Sequence, residues 1–194
     1  MKKVLFLTTL LLLSVIAFAQ TSKEAREVKR EALKKERKIR KSIEAQQDSI
    51  AYFKAVKALK SGSFVLEADN VMFNNGITRY VSNSTNYVQA DNGEGIVQTA
   101  FTNFAYSPGP NGLGGVTVEG KLSGWVLRKD KDGNYFCNYN IQGTAVSATI
   151  SITLTGGTNQ ASVIVSPNFN NNNITMTGRL YPLDESDVFQ GITW

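Results

Sequence analysis

The sequence predicts an all-β domain, an antiparallel up-and-down β-barrel, preceded by a basic N-terminal α-helix. Three observations carry this. After residue 61, short runs of alternating apolar and polar residues follow one another between Gly- and Asn-rich turn signals. Residues 22–59 contain no Gly or Pro and are dense in Ala, Glu, Lys, Arg and Leu, all strong helix formers. The strand-like runs succeed each other without a long crossover, which suits a meander closed into a barrel better than a Greek-key sandwich.

The first element is residues 1–19. Lys2 and Lys3 form a positive start, residues 4–16 are uncharged and Leu-rich, and Ala17-Phe18-Ala19 places small residues at a cleavage site. The pattern is that of a cleavable secretory signal peptide, cut after Ala19, so the mature protein is expected to be periplasmic or otherwise exported. The apolar run is shorter than the ~20 residues of a comfortable bilayer span. The single cysteine, Cys137, lies far from this site and has no partner for an internal disulfide. Within Phe136-Cys137-Asn138-Tyr139 it reads as a small buried hydrophobe on a strand.

The second element is a basic helical arm, residues 20–60, ahead of a β domain, residues 61–194. The whole-chain charge of +5 hides a division. The arm has 13 Lys and Arg against 6 Asp and Glu, and the β domain has 6 against 10. Ser22 is a plausible N-cap. Glu27 with Arg30, Glu31 with Lys35 and Glu36 with Arg40 sit at helical spacing. Val28, Ala32, Ile39, Ile43, Ile50 and Phe53 form a thin apolar stripe, interrupted by Lys35, Gln46 and Gln47 and too broken for a sustained coiled coil. Three roles fit: docking of residues 43–59 on the β domain, binding to an envelope protein or a second copy, or adsorption to an anionic surface. Nucleic acid is excluded as a partner by the export signal, although a basic run elsewhere would suggest it.

The third element is the β domain, with strands expected at 64–69, 78–82, 87–91, 95–102, 115–121, 124–129, 134–142, 145–155, 160–166 and 173–180. The cleanest alternation is Ile150-Ser151-Ile152-Thr153-Leu154-Thr155, one apolar face and one polar. Asp132-Gly133 and Gly156-Gly157 stand where hairpins need positive φ.

The residues exclude several chemistries. The chain has no histidine, which removes the commonest general base, the imidazole metal ligand and any Ser-His-Asp triad. Asp130-Lys131-Asp132-Gly133-Asn134 begins like a calcium loop, but Tyr135 and Ile141 stand where such a loop needs Gly and Glu, so it reads as a charged hairpin turn. The Gly-rich run at 109–115 lacks the Lys-Ser/Thr of a phosphate loop and leads into a strand, not a helix. Neither a metal nor a cofactor is expected. Glu67, Asp69, Asp91, Glu94 and Glu119 are the carboxylates available to a hydrolase, and nothing in the sequence pairs any two of them. Val188, Ile192 and Trp194 alternate towards an aromatic end, as in outer-membrane barrels, but the strands are short for that and carry Lys121, Arg128 and Asn138.

Several segments together resemble a known family. Phe64-Val65-Leu66-Glu67-Ala68, Gly112-Leu113-Gly114-Gly115-Val116-Thr117-Val118, Lys131-Asp132-Gly133-Asn134-Tyr135 and Ile174-Thr175-Met176-Thr177-Gly178, behind a signal peptide and a basic helix, are similar to the bacterial domain-of-unknown-function family DUF4251. The resemblance implies an exported barrel of lipocalin-like topology and brings no known activity. A non-enzymatic binding or interaction protein of the bacterial envelope is therefore expected. Its ligand, if it has one, would be an apolar or amphipathic small molecule, with Phe101, Phe104, Tyr106 and Trp125 as the candidate contacts near the Gly-rich loop. The alternative is a structural envelope protein that acts through the helical arm.

Overall fold

A computed structural model describes residues 2–100, 115–143, 147–168 and 172–191, with side chains from residue 26 onward. One helix, α1 (Lys2–Ser61), precedes nine strands: β1 (Phe64–Phe73), β2 (Thr78–Tyr80), β3 (Tyr87–Asp91), β4 (Glu94–Thr99), β5 (Val116–Lys129), β6 (Tyr135–Gln142), β7 (Ser147–Leu154), β8 (Gln160–Pro167) and β9 (Ile174–Pro182). The chain divides into two compact units, Met1–Gln47 and Asp48–Trp194.

In the first unit the described side chains, residues 26–47, are exposed. The apolar stripe expected there faces solvent, with Val28 68% and Ile39 60% exposed. None of the three charge pairs expected from spacing closes within 4 Å; Arg40 pairs with Glu44 instead, at 3.6 Å. Both side chains are largely in water, so the pair adds only a few tenths of a kcal/mol. Among the described residues no helix is long and apolar enough to cross a membrane.

The second unit is a closed barrel plugged at one end by the last turns of α1. Ala55, Val56, Ala58 and Leu59 are buried in the main core, with Tyr52 packed against them. The spacing 52, 55, 56, 59 is one face of a helix. It is not the stripe expected from the sequence, because Ile50 and Phe53 are 59% and 68% exposed. Alanines prevail on the docking face because a helix lying close on a barrel end leaves little room for longer side chains. The helix ends at Gly62, whose φ of 71° is costly for other residues, while the Ser63 amide donates to the Ala58 carbonyl at 3.2 Å. This six-to-one closure is a Schellman motif, and it turns the chain directly into β1.

The strands run as a meander in the order β2-β1-β3-β4-β5-β6-β7-β8-β9, and β1 pairs with β9 to close the sheet. Eight strands form the closed wall. β2 is an extra strand beside the second half of β1, on the edge whose first half pairs with β3. The seam between β1 and β9 runs from Phe64 opposite Pro182 to Phe73 opposite Ile174, with a bulge between Ala68 and Asn70. The bulge resets the face, so Ala68 and Val71 both point inward although three residues apart. For that reason β1 continues to Phe73, past the end expected at Asp69. A similar bulge explains why two expected strands, 115–121 and 124–129, are the single strand β5. Gly124 has a φ of 67° and the register slips between Ser123 and Val126, so the glycine bends the strand without reversing it.

The interior is apolar and the wall outside it polar. Tyr135, Cys137, Tyr139 and Ile141 of β6 are buried, while Phe136, Asn138, Asn140 and Gln142 are exposed. β7 repeats this, with Ala148, Ile150, Ile152 and Leu154 buried between Ser and Thr residues. A barrel spanning lipid needs the reverse, an apolar band outside. The C-terminal residues also differ from the membrane-barrel pattern. After a short 3-10 turn at Leu183–Glu185, residues 186–191 form no strand. Val188 instead joins Tyr181 and Leu183 in covering Val65, Tyr87 and Ile96 on the outer wall. Ile192 and Trp194 lie outside the described residues.

Buried Gln98 fixes this outer segment. Its Nε2 donates to the Phe189 carbonyl at 2.7 Å and to the Thr85 carbonyl at 3.0 Å. Its Oε1 accepts from Thr117 Oγ1 at 2.9 Å and from the Gly191 amide at 2.7 Å. Every polar atom of the side chain is thus satisfied, as a buried amide requires.

The plugged end is tied by its turns. Asp130 Oδ1 accepts from the amides of Asp132 and Asn134, at 2.9 and 2.8 Å, and Oδ2 accepts from Asn134 Nδ2 at 2.7 Å. Asn134 Oδ1 then accepts from the Gly156 amide at 2.8 Å, joining the β5–β6 turn to the β7–β8 turn. The Tyr52 hydroxyl of α1 donates to the Gly133 carbonyl of the same turn, and Lys54 pairs with Glu185 at 2.7 Å.

Two outcomes are expected. Leu59→Ala should cost about 2–5 kcal/mol in urea denaturation, because it opens a cavity at the plug; an unchanged midpoint would show that the helix does not bear on the core. Asp130 is held below its ordinary carboxylate range, chiefly by the Asn134 side chain and then by backbone amides. A depressed folded pKa stabilises above the unfolded value near 3.8, and the gain disappears as pH falls through the folded pKa. The stability difference between the wild type and Asp130→Asn should therefore be full near neutrality and shrink below about pH 4. A difference independent of pH down to pH 2 would contradict the assignment.

Candidate functional site

The site is a cavity inside the barrel at the end away from α1, and it follows from how inward residues are graded along the strands. At the plugged end the interior positions are large: Phe64, Leu66, Trp125, Tyr135, Leu154 and Leu180. At the other end the equivalent positions are small or β-branched, including Val97, Val116, Val118, Ala148 and Val165. A barrel of eight strands is just wide enough for large side chains to fill it, so small ones leave space. The result is a cavity of about 210 Å³. Ile141, Val118, Val97 and Val165 are among its walls, and Thr99, Pro167, Asn172 and Ile174 stand toward the strand ends.

No charged side chain lines this cavity, and among the described residues none is buried anywhere. The ionisable groups of the interior are neutral at physiological pH. Burial pushes the Cys137 thiol up to about 12, so it is no thiolate nucleophile. Burial also raises Tyr139 well above the ordinary phenol range. The Tyr139 hydroxyl is buried without a hydrogen-bond partner.

The sequence-derived contacts fall differently. Trp125 is partly buried in the core, stacked on Tyr139 with ring centroids 4.9 Å apart and 16° between planes, and tilted against Phe64 at 6.2 Å. It is not among the residues lining the cavity. Phe101, Phe104 and Tyr106, with the Gly-rich run at 109–114, lie outside the described residues. Sequence reasoning missed Val97, Val118, Ile141 and Val165. The signal that could have found them is the gradient of side-chain size along inward positions, which is readable only once register aligns the strands.

The carboxylates considered for hydrolysis lie off the cavity. Glu67 accepts from Ser186 Oγ at 2.6 Å and Asn83 Nδ2 at 3.2 Å, and Glu119 accepts from Gln190 Nε2 at 3.2 Å. Glu67 and Asp69 border a separate polar cleft on the outer wall with Asn83, Arg179 and Tyr181. The Asp130 side chain is consumed by its own turn, and among the described residues no group of His, Cys, Asp and Glu could hold a metal ion.

Residues 31–180 match a family model described as a domain of unknown function, DUF4251. A crystal structure of a DUF4251 family protein from Bacteroides eggerthii is similar at 49% sequence identity, with a TM-score of 0.65, covering 77% of this chain and 99% of that one. No curated protein matches the chain.

The cavity makes one expectation direct. Val118→Leu and Val165→Leu add methylenes where space exists, so each should leave stability unchanged or raise it by up to about 1 kcal/mol. Added bulk in a filled core costs about 1–3 kcal/mol instead, and that result in thermal or urea unfolding would mean the space is occupied.

Proposed function

The chain belongs to the DUF4251 family, and from that membership and the hollow end of its barrel we propose an exported, non-enzymatic binding protein of the bacterial envelope that holds an apolar or amphipathic small molecule. The observation that carries the reading is the cavity: its walls are apolar, its inner side is the packed core above the α1 plug, and its volume suits a small ligand. Small barrels with one filled and one open end hold ligands this way. The non-enzymatic part rests on the absence of histidine from the chain and, among the described residues, of charge from the interior. Export rests on the pattern of residues 1–19.

A second role concerns the helix. Residues 26–47 are exposed and rich in Lys and Arg, which favours contact with an envelope protein or an anionic surface. It is compatible with ligand binding, because the cavity and this segment share no residue.

Native mass spectrometry on protein recovered from bacterial export without detergent tests the main reading. A removable extra mass is expected on the wild type. It should be lost from Ile141→Trp, which fills the cavity, provided circular dichroism shows that the variant is folded. Bare wild-type protein under every growth condition, or equal ligand on a folded Ile141→Trp, would overturn it.

A further inference from the structure

We infer that residues 26–47 of α1 lie on the surface of a bilayer rich in anionic phospholipid, with a narrow apolar stripe against the lipid and lysines and arginines on the headgroups. The inference rests on the second role above, contact through the helix, and names the partner.

Charge supplies the attraction. Residues 26–47 hold nine Lys and Arg against four Glu, a net +5, and all of them are exposed. Among the described residues one ion pair forms in this stretch, between Arg40 and Glu44 at 3.6 Å, which leaves eight cations without a carboxylate partner. Each cation at an anionic leaflet adds roughly fivefold to partitioning, over a range of about a Debye length, ~8 Å at physiological salt. The β domain, with 6 Lys and Arg against 10 Asp and Glu, adds no such attraction, so the helix is the part drawn to the surface.

Helical position supplies the orientation. At about 100° per residue, Val28, Ala32, Ile39 and Ile43 fall within one arc of about 60°. All four are exposed. Lys35 and Lys38 follow this arc on one side and Lys29 and Arg40 on the other, where Glu36 is the acid next to it. The other five cations, Arg26, Arg30, Lys34, Arg37 and Lys41, occupy the far side. Long cationic side chains beside an apolar stripe keep their stems over it and their heads at the headgroups, the arrangement of a helix lying in an interface. Three branched residues and an alanine insert only shallowly, so charge dominates and binding is sensitive to salt.

The same features favour lipid over a protein partner. Protein interfaces are gripped by a few anchors, aromatic residues or arginines, seated in desolvated pockets. Residues 26–47 include no Trp, Tyr or Phe, and a single exposed helix builds no pocket. Eight unpaired cations spread around the helix instead match a fluid array of phosphates, which demands no fixed register.

Co-sedimentation with vesicles tests this on protein recovered from bacterial export. Vesicles of phosphatidylcholine alone, and of equimolar phosphatidylcholine and phosphatidylglycerol, share every apolar attraction, so the difference between them reads the charge. Partitioning should be at least about a hundredfold greater on the anionic vesicles in low salt and fall close to the neutral value at about 0.5 M salt. Two triple variants remove equal charge. Lys29→Gln, Lys35→Gln and Lys38→Gln together should lose at least about thirtyfold, and Arg30→Gln, Arg37→Gln and Lys41→Gln together less than about tenfold. A common thermal transition across the three proteins shows that the fold is unchanged. Equal losses from the two triples would overturn the placement of the stripe against lipid. No preference for anionic vesicles, together with salt-sensitive retention on immobilised poly-glutamate, would overturn the lipid assignment and leave contact with an envelope protein standing. If neither surface held the protein in a salt-sensitive way, the helix reading would fail and this inference with it.

Discussion

Closing the sheet between β1 and β9 gives the barrel a fixed bore, and the rest of the structure depends on how side chains occupy it. The seam tolerates little adjustment: a β-carbon at Gly178 would sit 1.9 Å from the Glu67 carbonyl oxygen, beside the bulge in β1. Such close approach of two backbones is possible only for glycine. With the bore fixed, large side chains fill the end over which α1 lies, and β-branched and small ones leave the other end hollow. Stability and any binding function therefore divide along the barrel axis. The plugged end carries the aromatic stacking, the Asp130 turn and the buried helix face, and the hollow end carries almost none of these.

Much of this was legible in the sequence. The alternation of β7 is an all-local signal, and Ile150, Ile152 and Leu154 point inward as the period of two requires. Gly133 and Gly157 mark two hairpins, because each takes a positive φ that other residues resist. The failures share one cause: they concern relations between distant segments. Gly124 looks like a turn residue and is a bulge, since only pairing with β6 decides whether the chain reverses. The thin apolar stripe in the sequence runs through Ile50 and Phe53, yet the buried face is Tyr52, Ala55, Val56 and Leu59, and only the barrel end selects it. The cavity is still less local, being built from residues on six strands whose register had to be known first.

The aromatic residues singled out near the Gly-rich loop illustrate the same limit. Trp125 is a large inward side chain and serves the core by stacking on Tyr139, which is the ordinary use of an aromatic. The cavity walls are instead Val and Ile, residues that carry no functional signature by themselves. Identity of fold with a family lacking a known activity does not settle function either, because function resides in sites and not in folds. The distribution of charge is more informative than any motif. Among the described residues, an acidic domain behind a basic helix places no charged side chain in the lining of its cavity.

The central claim is that the space is real and hydrocarbon-accepting in the native protein. Xenon under pressure tests it most directly, since apolar cavities of this size take up xenon and filled cores do not. Diffraction from pressurised crystals of the protein should show a xenon peak bounded by Val97, Val118, Ile141 and Val165. Protein side chains occupying that volume, with no xenon bound there, would contradict the account.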